Sequence, residues 1–390
     1  MAPGLLRYAK QNERPRIQLD PMNHLPNSDL QRSAVSREAH VSTQDLRNLK
    51  LVCTEETLLA DGWARLRLDL FALTSNNITY AAMGRGFAGY WDFFPCIDGW
   101  GRPPVWGFGT VVASKLAELE EGSRHYGFFP LAEMVDVLPV KAGAHGFVDG
   151  ASHRANKAAA YNWYADTRAD PAYDPEREAE QVLLRPLYGS GWWAADRVRR
   201  GSPRTVVISS ASSKTALAMV HKLRSSGESE LIGLTSTRHV DYVRSTGLYA
   251  RVLTYDEAGT LGCAPSSTYV DFLGNESLNA AVHRALGATL ADSILIGATD
   301  WAAKPGGVRA TAVESGPVPE ILFVPFYAPE RMKVDRELGA TMLRDMREFY
   351  EASRAFVAPR RLSGEEAILD CWTRLAAGDA RPQEGFVLSF

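Results

Sequence analysis

The stretch from Arg204 to Asp300 constrains the fold most. It reads Thr205-Val206-Val207-Ile208-Ser209-Ser210-Ala211-Ser212-Ser213-Lys214-Thr215, then a helical run, then Leu231-Ile232-Gly233-Leu234-Thr235-Ser236-Thr237-Arg238. Tyr269-Val270-Asp271-Phe272-Leu273-Gly274 and Ser293-Ile294-Leu295-Ile296-Gly297-Ala298-Thr299 follow. Short apolar runs, each followed by small or polar residues and most then by a helical pattern, predict a doubly wound parallel sheet. Such a sheet binds ligands beyond the carboxyl ends of its strands, where the strand order reverses.

A chain of 390 residues exceeds one small core and predicts two domains. Residues 1–40 read as a polar arm. Residues 41–140 read as β-rich: Ala64 to Leu70 alternates at period two, and Gly107–Ser114, His125–Pro130 and Met134–Pro139 are further short strands, as in a partly open barrel. Residues 150–200 read as helical with aromatic insertions. Helices are expected at Ser213–Arg224, Arg238–Thr246 and Glu276–Leu286, two amphipathic helices around a Pro359-Arg360-Arg361 break, and a final strand from Glu384 to Ser389. The net charge of −3 gives no argument for nucleic acid or an anionic membrane as partner. No apolar run approaches a membrane span, the amino terminus lacks an apolar signal core, and a cytoplasmic location is expected. Cys53, Cys96, Cys263 and Cys371 lack metal-site spacing.

The order of motifs resembles the medium-chain dehydrogenase/reductase superfamily, and within it the zinc-free quinone and enoyl reductases, over residues 45–327 plus the last strand. Phe71 to Tyr80 looks like the family's first active-site loop, Pro104 to Val112 like its next conserved segment, and Glu121 to Gly127 like its Gly-Asp-Arg-Val turn. Tyr269–Asn275 and Ile294–Gly297 look like its fourth and fifth nucleotide-domain strands, and Gly385–Leu388 like its last strand. The resemblance implies an α/β fold: a GroES-like β-barrel catalytic domain (41–185 and 328–390) plus a Rossmann doubly wound parallel-sheet domain (186–327). It also implies a homodimer paired through the nucleotide domains. Zinc-dependent relatives need a Cys or His in the first loop and a His-Glu pair further on; Ser75-Asn76-Asn77 and Trp106-Gly107-Phe108 stand there, so no metal is expected. By the same resemblance, Gly297 and Ala298 would meet a nicotinamide amide through backbone.

Glycines usually permit the tight phosphate-cradling turn of a dinucleotide fold, and the Ser209–Thr215 turn has none. Backbone N–H groups at the next helix start still favour an anion, and Ser210, Ser212, Ser213, Lys214 and Thr215 add hydroxyls and a charge. The competing reading is that Ser212 or Ser213 only caps the helix and Lys214 is solvated. At the end of the second strand a carboxylate would select NAD. Ser236 and Arg238 stand there instead and favour the 2′-phosphate of NADPH.

Without a metal, a hydride acceptor must be polarised by hydrogen bonds and a proton donor must neutralise the developing charge. Tyr80 is the first candidate donor and Tyr90 its rival. Asn76 and Asn77 would orient substrate or water, or simply form the turn. Asp92 stands in the aromatic block Tyr90–Pro95; a carboxyl in apolar surroundings is an acid candidate, and a cap otherwise. Three readings follow. The first is an NADPH-dependent, zinc-free reductase of an activated C=C bond in a hydrophobic or aromatic small molecule. The second is a cofactor-free lyase or hydrolase acting on a carbonyl compound. The third is a non-catalytic binding protein.

Overall fold

The structure is a computed structural model that describes residues 35–86, 88–225, 227, 229–262, 266–296 and 315–390. The amino-terminal strands are β1 (Val35–Ser42), β2 (Leu49–Glu55), β3 (Ala64–Leu73), β4 (Trp100–Gly101), β5 (Pro104–Ser114), β6 (Arg124–Pro130), β7 (Met134–Val137), β8 (Pro139–Gly143), β9 (Gly146–Asp149) and β10 (Trp163–Asp166). Then come β11 (Thr205–Ile208), β12 (Glu230–Thr235), β13 (Arg251–Thr254), β14 (Ser267–Asp271), β15 (Leu290–Leu295), β16 (Glu320–Ile321), β17 (Ala358–Ser363) and β18 (Glu384–Ser389). The α-helices are α1 (Ser75–Ala82), α2 (Glu178–Arg199), α3 (Lys214–Arg224), α4 (Val240–Ser245), α5 (Glu276–Leu286), α6 (Val324–Val334), α7 (Glu337–Ser353) and α8 (Glu365–Ala377).

Six strands form one parallel sheet in the order β13-β12-β11-β14-β15-β16. Its order reverses between β11 and β14, which is the doubly wound arrangement with its ligand crevice at that point. Thr205 to Ile208 are all buried because helices cover both faces. A second, mostly antiparallel sheet runs β17-β18-β3-β5-β6-β10-β9-β8, with β7 on β3, and β2-β1-β4 forms a third. In β3 the residues Ala64, Leu66, Leu68 and Leu70 are buried, so the period-two pattern marks the core face as expected. Among the described residues no helix is long and apolar enough to cross a membrane.

Several local expectations are corrected. Residues 35–40 are the start of β1, not arm; Arg37, Glu38 and His40 made them look polar, but Glu38 and His40 are buried and hydrogen-bonded at 2.6 Å. Trp163–Asp166 is strand β10, because Tyr164 stacks on Phe147 and donates its hydroxyl to the Phe128 carbonyl at 2.7 Å. The carboxy-terminal region has three helices, and Pro359-Arg360-Arg361 lies within β17, parallel to β18.

Helix α2 crosses α3, the helix that carries the Ser-rich turn. The two approach closely because Gly191 has no side chain: a Cβ there would lie 2.7 Å from the Thr215 carbonyl and 2.8 Å from the Met219 amide nitrogen. Backbone cannot yield as a side chain can, so Gly191→Ala should cost about 1–3 kcal/mol of stability, seen as a lowered denaturation midpoint. An unchanged midpoint would mean α2 can shift freely off α3.

Candidate functional site

A cleft of about 1020 Å³ begins at the carboxyl ends of β11, β12 and β14 and runs to the aromatic residues after α1. Its floor is set where β11 meets β14. Ser209 is fully buried; its hydroxyl donates to Asp271 Oδ1 at 2.6 Å and accepts the N–H of Phe272 at 2.8 Å. The same carboxylate oxygen accepts the Leu273 N–H at 2.9 Å and that of Gly274 at 3.1 Å. Burial raises the Asp271 carboxyl above its ordinary range, opposed by Ser209 and the two amides.

The next residue, Ser210, has φ +48°, in the left-handed region that glycine normally fills. The turn thus keeps a glycine-like shape at a residue that has a side chain, at a strain of about 1 kcal/mol or more. Tyr255, at the end of β13, hydrogen-bonds Ser210 and lines the cleft; burial pushes its phenol up to about 12. Ser213 caps α3 by accepting the Ala216 N–H at 3.2 Å, which is the capping role foreseen for it. Beyond the capped Ala216 amide, the first-turn N–H groups of Lys214 and Thr215 have no intrahelical acceptor, and the positive end of the helix dipole at this place favours an anion. Ser212 pairs with His239 Nδ1 at 3.3 Å.

Ser210, Ser212, Ser213, Lys214, Thr215, Ser236 and Arg238 all border the cleft. Lys214 donates to the Pro382 carbonyl at 2.9 Å, and burial pushes its ammonium down to about 8, with Glu384 alone opposing the shift. Arg238 donates to the Gly378 carbonyl at 2.9 Å. Ser236 Oγ is shielded from solvent with no hydrogen-bond partner among the described residues. An orphan hydroxyl beside a guanidinium, next to a helix start, suits a phosphorylated nucleotide. Gly297 and Ala298 lie outside the described residues.

At the other end, Tyr80 is buried and its oxygen accepts the Trp106 Nε1 hydrogen at 3.1 Å. Burial pushes its phenol up to about 12, against hydrogen bonds from Trp106 and Asn76. Tyr90 packs on it with ring centroids 4.5 Å apart, and the Tyr90 and Tyr161 hydroxyls lie 2.9 Å apart; burial raises both phenols. The structure therefore brings Tyr80, Tyr90 and Asn76 to the cleft. It does not bring Asn77 there: Asn77 Oδ1 accepts the Thr74 N–H at 2.7 Å and its Nδ2 donates to the Pro104 carbonyl at 2.9 Å, which fixes the start of α1. Asp92 is not enclosed by the aromatic block either. Its side chain is 64% exposed and pairs with Lys157 at 2.7 Å. Among the described residues no group of three His, Cys, Asp or Glu side chains could hold a metal ion.

Tyr255, Tyr161, Arg381 and Arg85 are among the cleft residues to which the sequence does not point. Tyr255 follows the third nucleotide-domain strand, and the rule that ligands sit past strand ends would have found it. Tyr161 and Arg381 reach the cleft through tertiary packing that no local pattern encodes, and Arg85 lies just past the end of α1.

A family model described as "Protein of unknown function (DUF2855)" matches residues 71–381, and the chain belongs to that family. No curated protein matches it. Among solved structures it is similar to CurA from Vibrio vulnificus in complex with NADPH, with 12% identity, 90% of this chain and 98% of that one covered, and a TM-score of 0.62. It is similar to a mutant enoyl thioester reductase from Candida tropicalis, with 12% identity, coverage of 92% and 100%, and a TM-score of 0.54. It is also similar to the yhdH oxidoreductase from Salmonella enterica in complex with NADP, with 15% identity, coverage of 91% and 99%, and a TM-score of 0.54. The shared architecture is the two-domain medium-chain dehydrogenase/reductase fold.

The lowered Lys214 value has a testable sign. The ammonium is charged below about 8 and loses its charge as the pH rises through that value. Affinity for a phosphorylated nucleotide should therefore fall about tenfold as the pH rises through that range. In Lys214→Gln this limb should be absent; a limb that persists, measured by calorimetry at several pH values, would place the titration elsewhere.

Proposed function

We propose that the chain is an NADPH-dependent, zinc-free reductase that acts on an activated C=C bond, as in an enone, quinone or enoyl thioester, of a hydrophobic or aromatic small molecule. The observation that carries this reading is the continuity of one cleft from the Ser-rich turn to Tyr80. Bound NADPH would supply the hydride. The chain's own residues do the rest. The Ser210 turn and the start of α3 receive the pyrophosphate, while Arg238 and Ser236 receive the 2′-phosphate. Tyr90, Tyr161 and Met83 wall the reacting end and favour a flat apolar substrate.

Tyr80 completes the reduction by giving up its proton. With its phenol near 12 it is protonated at neutral pH, and the Trp106 N–H on its oxygen stabilises the phenolate left behind. Asn76 lies beside Tyr80 and orients either its hydroxyl or the substrate carbonyl. The left-handed Ser210 keeps a glycine-like turn without glycine, and this favours the NADPH reading over a cofactor-free lyase or hydrolase, which the missing glycines motivate. Pairing of two chains through the nucleotide domains belongs to the same reading. It is supported by the edge position of β16 and by exposed Val318, Ile321 and Phe326.

Two measurements test the reading. Arg238→Ala should weaken NADPH binding by about tenfold or more and leave NADH nearly unchanged; equal losses remove Arg238 from the 2′-phosphate. Tyr80→Phe should lower turnover of an enone or quinone about a hundredfold with NADPH affinity intact. Unaltered turnover would take Tyr80 out of the chemistry.

A further inference from the structure

Two cations at the cleft, Lys214 and Arg238, are both held by one short segment, far from them in sequence. Lys214 Nζ donates to the carbonyl of Pro382, and Arg238 Nη2 to the carbonyl of Gly378, each at 2.9 Å. Residues 378–382 connect α8 to β18, and Gly378, Ala380, Arg381 and Pro382 border the cleft. This strap is pinned at its ends. Gly378, at φ +72°, ends α8, and the Asp379 N–H donates to the Arg374 carbonyl at 2.9 Å. The Arg381 N–H donates to Glu384 Oε2 at 2.9 Å, and Arg374 holds the same oxygen at 2.6 Å.

We propose that the Gly378–Pro382 strap is a built-in competitor for the anion site: its two carbonyls and the phosphate groups of a dinucleotide contend for Lys214 and Arg238, so that anion binding releases the strap. The inference rests on the dinucleotide reading above and goes beyond it. A hydrogen bond from a cation to a phosphate oxygen is roughly twice as strong as one between neutral partners, and a phosphate takes a guanidinium by two parallel bonds. Arg238 must turn its fork toward the ligand to make both, which a bond to Gly378 opposes. The solvent-shielded, unpartnered Ser236 hydroxyl lies on the same side and would gain its acceptor in the exchange. The strap runs directly into β18, where Phe386 borders the cleft, so its release reaches the cleft wall by chain continuity. Cofactor occupancy and cleft shape are then linked through five residues.

The test uses the full chain with adenosine 2′,5′-bisphosphate as probe, a ligand with phosphates but no nicotinamide. Binding is measured by calorimetry and backbone release by hydrogen exchange of peptides covering residues 376–384. Faster exchange there on saturation, with slower exchange over residues 209–217, supports the strap. Binding with unchanged or slower exchange at 376–384 overturns the strap and leaves the dinucleotide reading standing. No binding overturns both. A Pro382→Gly variant loosens the strap without touching either cation and should bind the probe about fivefold more tightly. Equal or weaker binding would show that the segment is a support for the site and not a competitor.

Discussion

The site depends on how two strand ends are tied where the parallel sheet reverses its order. Ser209 follows β11 and Asp271 ends β14, and the two side chains, 2.6 Å apart, also gather the amides of residues 272–274. Backbone donors that would otherwise be buried without acceptors are thereby satisfied, which a crevice between diverging strands needs. With Ser209 fixed, the chain must turn away from β14 into α3 within a few residues. The left-handed Ser210 is the consequence of that constraint. Its strain is offset by Tyr255 on one side and by the cap of α3 on the other. The turn is made with no glycine. The conformational demand falls on a serine whose neighbours hold it in place.

The aromatic end obeys a different constraint. Six large rings, Tyr80, Tyr90, Phe93, Phe94, Phe128 and Tyr161, pack as one cluster. Three of them carry hydroxyls, and burying a hydroxyl without a partner is costly. The cluster answers by pairing Tyr90 with Tyr161 and by giving Tyr80 the Trp106 N–H. Tyr80 differs from the other two because the donor at its oxygen is an indole N–H, whereas Tyr90 and Tyr161 pair with each other. Burial keeps all three phenols protonated, but only at Tyr80 is the phenolate itself stabilised by a neutral N–H.

What the sequence revealed follows the range of the interactions involved. The parallel sheet was legible because each strand is a local apolar run, and α5 was read to its end residues because its apolar spacing and caps are local too. The position of Tyr80 and of the Ser210–Thr215 turn beside one cleft follows from the motif order. For Asn77 the turn-forming alternative matches its local bond to Thr74, but its second partner, the carbonyl of Pro104, lies 27 residues away and no local pattern encodes it. Asp92 looked enclosed because its neighbours in sequence are aromatic. Those rings point into the core while the carboxylate points out to Lys157. β1 was hidden because a buried Glu38–His40 pair, held also by Arg102 at 2.8 Å, reads as surface polarity in a one-dimensional pattern.

If the strap is released by an anion, this two-domain fold gains communication between its domains without a separate hinge. The barrel's last strand must be reached from α8, and the shortest route passes the mouth of the nucleotide crevice. This crossing places the carbonyls of Gly378 and Pro382 next to Arg238 and Lys214. A carbonyl satisfied by a cation is a lower-energy neighbour than an exposed one, so the contact forms. A phosphate nearby makes a stronger bond with the same cation. The two states differ by an exchange of partners and not by a change of fold, which is the kind of small free-energy difference that a bound ligand can reverse.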